Sequence, residues 1–295
     1  MDKSFYNLAS SERLGWKPDW FGEQYDEFDE DLEEAIIKFQ KEHRLKADGL
    51  CGPGTFRRLI AHRESEMEEV YEQITANNRE SFIIYNRNYY DIEWPKVILP
   101  FKRGGLTFSK GLRRSKELRK PNMFVTHWDV CLNAATCHRV LERRGLSIHF
   151  TLDNDGTIRQ HMDINDVAFH AGSRKWTDAS IGLEISNAYY PKYQKWYKRN
   201  VGEERPIKSG AKVHGKTLDD FTDFYPVQLE ALKALYRAVH KATGIPLATP
   251  KTQTVSSPCV SGKFKGFISH YHLTKGKIDC AGLDIAKILK EIENE

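Results

Sequence analysis

Apolar positions recur along this chain in two rhythms. In the segment that starts at Phe28 (FDEDLEEAIIKFQKEHRLKADGLCGPGTFRRLI), Leu32, Ala35, Ile36 and Phe39 fall three and four residues apart, the spacing of one helical face. Asp29, Glu30 and Asp31 open that stretch and Lys41, His43 and Arg44 close it, so the charges complement the helix dipole at both ends. Asp48-Gly49 and Gly52-Pro53-Gly54 then signal turns, after which Thr55 is expected to cap a second helix carrying Phe56, Leu59 and Ile60. The residues from Glu64 to about Asn88 are polar and helix-compatible and read as a connector. Between Trp94 and Lys120, Pro, Gly and Lys/Arg are mixed without a periodic element.

From Met123 the rhythm shortens. Met123 to Thr126 is an apolar run of strand type ending in His127. A helix from about Asn133 to Arg144 follows, closed by Gly145. SIHFTLDNDGTIRQHMD reads as two strands joined at Asp155-Gly156. SIGLEISN alternates, with Ile181, Leu183 and Ile185 on one face and Gly182, Glu184 and Ser186 on the other. A helix from about Val227 to Thr243 carries Leu229, Leu232, Leu235, Tyr236 and Val239, and FKGFISHYHL is the last strand. Strands separated by helices predict an α/β domain with a mixed central sheet flanked by helices, preceded by a small all-α domain. The divisions read as residues 1–62, a connector over 63–95, and 96–295.

Composition narrows this picture. At 295 residues the chain exceeds what one core organises, which fits two domains. No stretch approaches the roughly 20 apolar residues of a membrane span, so no membrane insertion is expected. The start, MDKSFYNLASSERLGWKPDW, lacks a basic region followed by an apolar run; the expectation is synthesis in the cytoplasm without a signal peptide. Five cysteines (Cys51, Cys131, Cys137, Cys259, Cys280) are an odd set that argues against a disulfide framework. The net charge of +4 is dispersed among acidic residues, which excludes a nucleic-acid stripe and leaves a weak attraction to an anionic polymer. A monomer is expected.

Three residues of metal-ligand type stand at strand ends or in the loop beyond: His127, His270 and Cys280. Three N, S or O ligands with a fourth position left to water are the pattern of a catalytic zinc site. His272, two residues beyond His270 on the expected strand, is the alternative ligand, since both side chains would face one way. Glu184 lies on the strand face opposite the apolar one, where a carboxylate can take a proton from an activated water. Cys131, Cys137 and His138 lack a fourth partner and read as helix packing.

In order, FVTHW, HFTLDNDGTI, FHAG (Phe169 to Gly172), SIGLE (Ser180 to Glu184) and HYHLTKGKIDC resemble the type 2 N-acetylmuramoyl-L-alanine amidase family, which includes phage endolysins and is related to peptidoglycan recognition proteins. The resemblance spans about residues 120 to 292. Ala35-Ile36, Phe39-Gln40, Asp48-Gly49, Gly52 and Thr55 likewise resemble the peptidoglycan-binding type 1 module over about residues 10 to 62. The two resemblances imply hydrolysis of the N-acetylmuramic acid–L-alanine amide of bacterial peptidoglycan, in the setting of a phage endolysin. They make His127, His270 and Cys280 the Zn2+ ligands and Glu184 the general base. A tyrosine used by another branch of the family is replaced here by Ile148. The family's lysine two residues before the last ligand falls here on Ile278, so the oxyanion role passes to Lys277, one step earlier. His170 and Trp128 are expected to contact substrate. The competing readings are a recognition protein that binds the wall without cutting it, a zinc hydrolase of another amide, and a bacterial wall-lytic effector.

Overall fold

In the computed structural model, which describes residues 2–63 and 81–295, the acidic run at Asp29 starts a helix as predicted. The Asp29 carboxylate accepts from the Leu32 amide, and Glu30–Glu42 turns Leu32, Ala35, Ile36 and Phe39 inward. Residues 53–63 are also helical. Thr55 stands inside their first turn rather than at the cap, because Pro53 already satisfies the first helical position. Trp16, Leu32, Ile36, Phe39, Cys51 and Leu59 form the core of this smaller unit, which takes in the described residues 2–63 and Arg113–Leu118.

An additional helix, Lys3–Leu14, buries Asn7, Ser10 and Ser11 instead of an apolar stripe. It docks by hydrogen bonds to a turn. Asn7 donates to Gly49 O and accepts from the Cys51 amide, both at 2.9 Å, and the Ser10 hydroxyl donates to Cys51 O. Gln40 holds the same turn from the other side: its Oε1 accepts from the Gly49 amide at 2.9 Å, and its Nε2 lies 3.0 to 3.1 Å from Thr55 Oγ1, Leu50 O and Asp48 Oδ1.

The larger unit comprises residues 81–112 and 119–295. Its central sheet has six strands in the order Gly266–Ser269, Met123–Trp128, Ser180–Ile185, Phe150–Leu152, Ile158–Gln160 and Val97–Ile98. All neighbours are parallel except Phe150–Leu152 and Ile158–Gln160, the hairpin foreseen at Asp155-Gly156. The sheet is therefore mixed. Ile181, Leu183 and Ile185 bury their predicted face in one core with Leu232, Leu235 and Tyr236 of the Pro226–Thr243 helix and with Ile288 and Leu289 of the final helix, Ile285–Glu293. The Ala134–Arg144 helix starts at the Asn133 cap and ends at left-handed Gly145, close to its predicted bounds. Among the described residues, no helix is long and apolar enough to cross a membrane.

Two sequence expectations change. The connector read over 63–95 ends earlier, because Ser81–Tyr85 and Asn88–Ile92 form an antiparallel hairpin that belongs to the larger unit. Phe82, Ile83 and Ile84 are buried, and the Gln160 side chain exchanges two 2.8 Å hydrogen bonds with the backbone of Ile84. The rest of that connector, residues 64–80, lies outside the described residues. The last strand also stops short, at Ser269, and His270–His272 wind into a single 3-10 turn.

The Gln40 network makes the smaller unit sensitive to one polar side chain. Gln40→Ala strands the buried Gly49 amide, removes the donor shared by Asp48, Leu50 O and Thr55, and should cost on the order of 2 kcal/mol. Denaturant titration of the full chain should show an early transition for this unit.

Candidate functional site

The parallel pairing of Met123–Trp128 with Ser180–Ile185 sets His127 directly beside Glu184. The 3-10 turn that follows Gly266–Ser269 brings His270 alongside. His127 Nδ1 and His270 Nδ1 are 2.9 Å apart, and Asp279 Oδ2 lies 3.1 Å from each. All three residues are buried, and among the described residues they are the group that could hold a metal ion.

The residue expected third in this group was Cys280. Instead its neighbour Asp279 turns into the polar centre, while the Cys280 side chain joins the apolar core of the larger unit. Adjacent side chains here face opposite environments, and a carboxylate next to two imidazoles is far less costly than one among leucines. His272, the alternative, points elsewhere: its Nδ1 accepts from the Ser269 amide at 3.1 Å and its Nε2 donates to Thr252 O at 2.9 Å. A turn of three residues per revolution cannot aim positions two apart in one direction.

Hydrogen bonding settles the tautomer of His127. Ser180 Oγ donates to Trp176 O at 2.7 Å, so it accepts from His170 Nε2 at 3.2 Å. His170 Nδ1 then has a free lone pair, and His127 Nε2 donates to it at 3.0 Å. The proton of His127 is thereby held on its outer nitrogen, and Nδ1 turns a lone pair toward Asp279 and His270. Burial first, and then the neighbouring His270, push His127 down to about 4, so it is neutral at pH 7. Burial by itself would raise Asp279, but the His127 and His270 imidazoles against its carboxylate outweigh this and hold it below the usual carboxylate range. Three ligand-type atoms therefore converge on one point, with a proton on His270 Nδ1 the one hydrogen they could share.

Gly182 makes the His170 contact possible. A Cβ there would lie 2.4 Å from Ile148 Cδ1 and 2.7 Å from the His170 ring. His149 accepts from the Gly182 amide at 3.1 Å and fixes that strand from the other side.

Glu184 is half-buried on the Gly182 face, and its Oε2 has no hydrogen-bond partner among the described residues. Burial, and then the charges of Asp129 and Asp279, push its carboxyl well above the usual range, with Lys277 acting in the opposite direction. Lys277 itself is exposed, and its carbonyl accepts from His214 Nε2 at 2.8 Å. With Asp279 as the third member, Lys277 stands two residues before it, and the pattern Lys-x-Asp is met without an extra residue. Trp128 was expected to contact substrate, but it is buried against Tyr189 and Phe221 with ring centroids 5.3 Å away. It follows His127 on the strand and so faces the opposite side, the core. Cys137 packs beneath the sheet with Phe108, Leu141 and Ile148, with Cys131 at the edge, as helix packing predicts.

Reading of the sequence missed Asp279, although the pattern Lys277-Ile278-Asp279 was visible. It also missed Asp129, which accepts from the amides of Cys131 and Asn187 and from the Ser186 hydroxyl, and which burial pushes up to about 7.

Fold and site define an α/β protein with one buried His–His–Asp centre at the ends of parallel strands, preceded by a helical unit. Residues 117–281, more than half of the chain, match the family model described as N-acetylmuramoyl-L-alanine amidase, and residues 12–59 match a peptidoglycan binding domain. The chain belongs to the N-acetylmuramoyl-L-alanine amidase family and carries an N-terminal peptidoglycan-binding module. A Rickettsia conorii protein named as an N-acetylmuramoyl-L-alanine amidase is 38% identical over 58 residues, 19% of this chain and 22% of that protein. The match thus spans about a fifth of that relative's length. Among solved structures, the N-acetylmuramoyl-L-alanine amidase LysC of Clostridium intestinale is similar over 68% of this chain and 99% of its own, at 15% identity and a TM-score of 0.41. A Drosophila peptidoglycan recognition protein is similar over 60% and 81%, at 14% identity and 0.32.

Because Gly182 leaves no room for a methyl group, Gly182→Ala should displace His170 or Ile148 and cost about 1–3 kcal/mol. A lowered melting temperature, with altered imidazole proton resonances of His127 and His170, would report it.

Proposed function

We propose that the larger unit hydrolyses the amide between N-acetylmuramic acid and L-alanine in bacterial peptidoglycan, with Zn2+ held by His127, His270 and Asp279, while the smaller unit retains the chain on the wall. The observation that carries this reading is the convergence of His127 Nδ1, His270 Nδ1 and Asp279 Oδ2 within 2.9 to 3.1 Å of one another. Two imidazoles and a carboxylate, buried and converging, suit a divalent cation, and three protein ligands leave a coordination position open. Zn2+ supplies polarisation of the amide carbonyl and lowers the pKa of a water from about 15.7 to about 7.

The chain's own groups divide the remaining work. Glu184, beside His127 and with no hydrogen-bond partner for Oε2 among the described residues, takes the proton of the attacking water and returns it to the leaving L-alanine nitrogen. Its raised proton affinity makes it a willing acceptor and keeps the proton available for the return step. Lys277, exposed at the edge of the centre and two residues before Asp279, sets positive charge against the carbonyl oxygen as that oxygen becomes negative. His170 holds the His127 ring and its tautomer, the supporting role common for partners of metal-binding histidines. A unit that cuts the wall joined to one that holds it supports a lytic setting of the phage-endolysin kind.

Two substitutions separate Asp279 from Cys280. Asp279→Ala should lose bound zinc and the release of stem peptide from purified peptidoglycan, whereas Cys280→Ala should keep a full equivalent of zinc. The opposite pattern would return the third ligand to the thiol. Glu184→Gln should retain zinc and slow peptide release by roughly 10²–10⁴-fold, the usual reach of a general base. A zinc-loaded wild type that sediments with peptidoglycan and releases no peptide would make the chain a recognition protein.

A further inference from the structure

The strand that carries Glu184 runs directly into an aromatic and basic segment, AYYPKYQKWYKRN (residues 188–200). It contains Tyr189, Tyr190, Tyr193, Trp196 and Tyr197 together with Lys192, Lys195, Lys198 and Arg199. No acidic residue stands between Glu184 and Glu203. The rings form a continuous path that starts on the core side of the strand holding His127. Trp128, next to His127, packs on Tyr189 at 5.3 Å; Tyr189 meets Tyr190 edge-on at 5.1 Å; and Tyr190 is 6.5 Å from Tyr193. Tyr190 is 49% exposed, and the Lys192 ammonium lies 5.2 and 5.1 Å from the Tyr190 and Tyr193 rings.

This surface is held from beneath. Tyr197 is fully buried, and its hydroxyl accepts from the Ala188 amide at 2.9 Å. The Arg205 guanidinium lies 4.6 Å from the Tyr197 ring and 4.5 Å from that of Tyr225. Gln194 exchanges two hydrogen bonds with the Arg205 backbone, at 2.7 and 2.9 Å. An aromatic surface fixed in advance loses little entropy when it binds.

We propose that residues 189–199 dock the glycan strand of peptidoglycan that flanks the cleaved amide, a reading that rests on the function proposed above. Sugar rings present apolar C–H faces that stack on tyrosine and tryptophan. The stem peptides left uncut along the same strand carry free carboxylates, which complement four cations with no acidic residue among them. Tyr189 follows Glu184 by five residues, so the end of the Ser180–Ile185 strand leads from the site straight into this surface.

The test compares two substrates with the zinc-loaded full chain: intact sacculi and a soluble N-acetylmuramoyl-tripeptide, which has no flanking strand. Tyr190→Ala/Tyr193→Ala and Lys192→Gln/Lys195→Gln/Lys198→Gln should each raise KM on sacculi by about tenfold, as the loss of two stacking contacts or three screened charges implies. The value of kcat on sacculi, and all kinetics on the soluble substrate, should stay unchanged. Added salt should raise the wild-type KM on sacculi toward that of the lysine variant. Equal losses on both substrates, or an unchanged KM on sacculi, would overturn the proposal. If the wild type cuts neither substrate, the amidase reading falls by itself, and the ring proton resonances of Tyr190 and Tyr193 titrated with soluble glycan strands decide docking: unperturbed resonances would overturn it.

Discussion

The position of one proton organises the centre of the larger unit. Ser180, committed to Trp176 O, receives the proton of His170; His170 receives that of His127; and the inner nitrogen of His127 is left bare. Each link depends on the next. Gly182 admits the His170 ring against the strand, and the parallel register places Glu184 beside the histidine oriented in this way. The motif Ser180-Ile181-Gly182-Leu183-Glu184 thus serves two ends with alternate residues. Ile181 and Leu183 enter the core, while Ser180, Gly182 and Glu184 build the polar side.

The apolar skeleton of the larger unit was legible because its periods are strong. The strand ending in His127, the Asp155-Gly156 hairpin and the long helix from Pro226 carry unmistakable alternation or helical spacing, and the structure keeps all three. The third member of the polar group was less accessible. Asp279 and Cys280 are neighbours of plausible ligand type, and only the direction in which the loop turns decides between them. His270 and His272 posed the same difficulty. Strand geometry would align them, but the chain winds into a 3-10 turn after Ser269, and no local residue announces that change.

Polar burial explains the other gaps. Lys3–Leu14 docks through Asn7, Ser10 and Ser11, so it lacks the apolar stripe by which a helix is recognised. Gln40 belongs to a run read for its apolar face, yet it is the residue that holds the Gly49 turn. Trp128 shows the converse. Its place beside a candidate ligand invited a role with substrate, although alternation along a strand sends neighbours to opposite sides.

The hairpin at Ser81–Ile92 changes where the molecule can sensibly be divided. Gln160 lies in the strand that bonds Val97–Ile98, and its amide clasps the backbone of Ile84. A catalytic fragment trimmed to begin at residue 96 would leave that buried amide facing water or an empty space, and would uncover the side of the Pro226–Thr243 helix against which the hairpin rests. Swapping wall-binding modules between enzymes of this architecture therefore calls for a junction on the N-terminal side of Ser81, so that the hairpin travels with the sheet it completes.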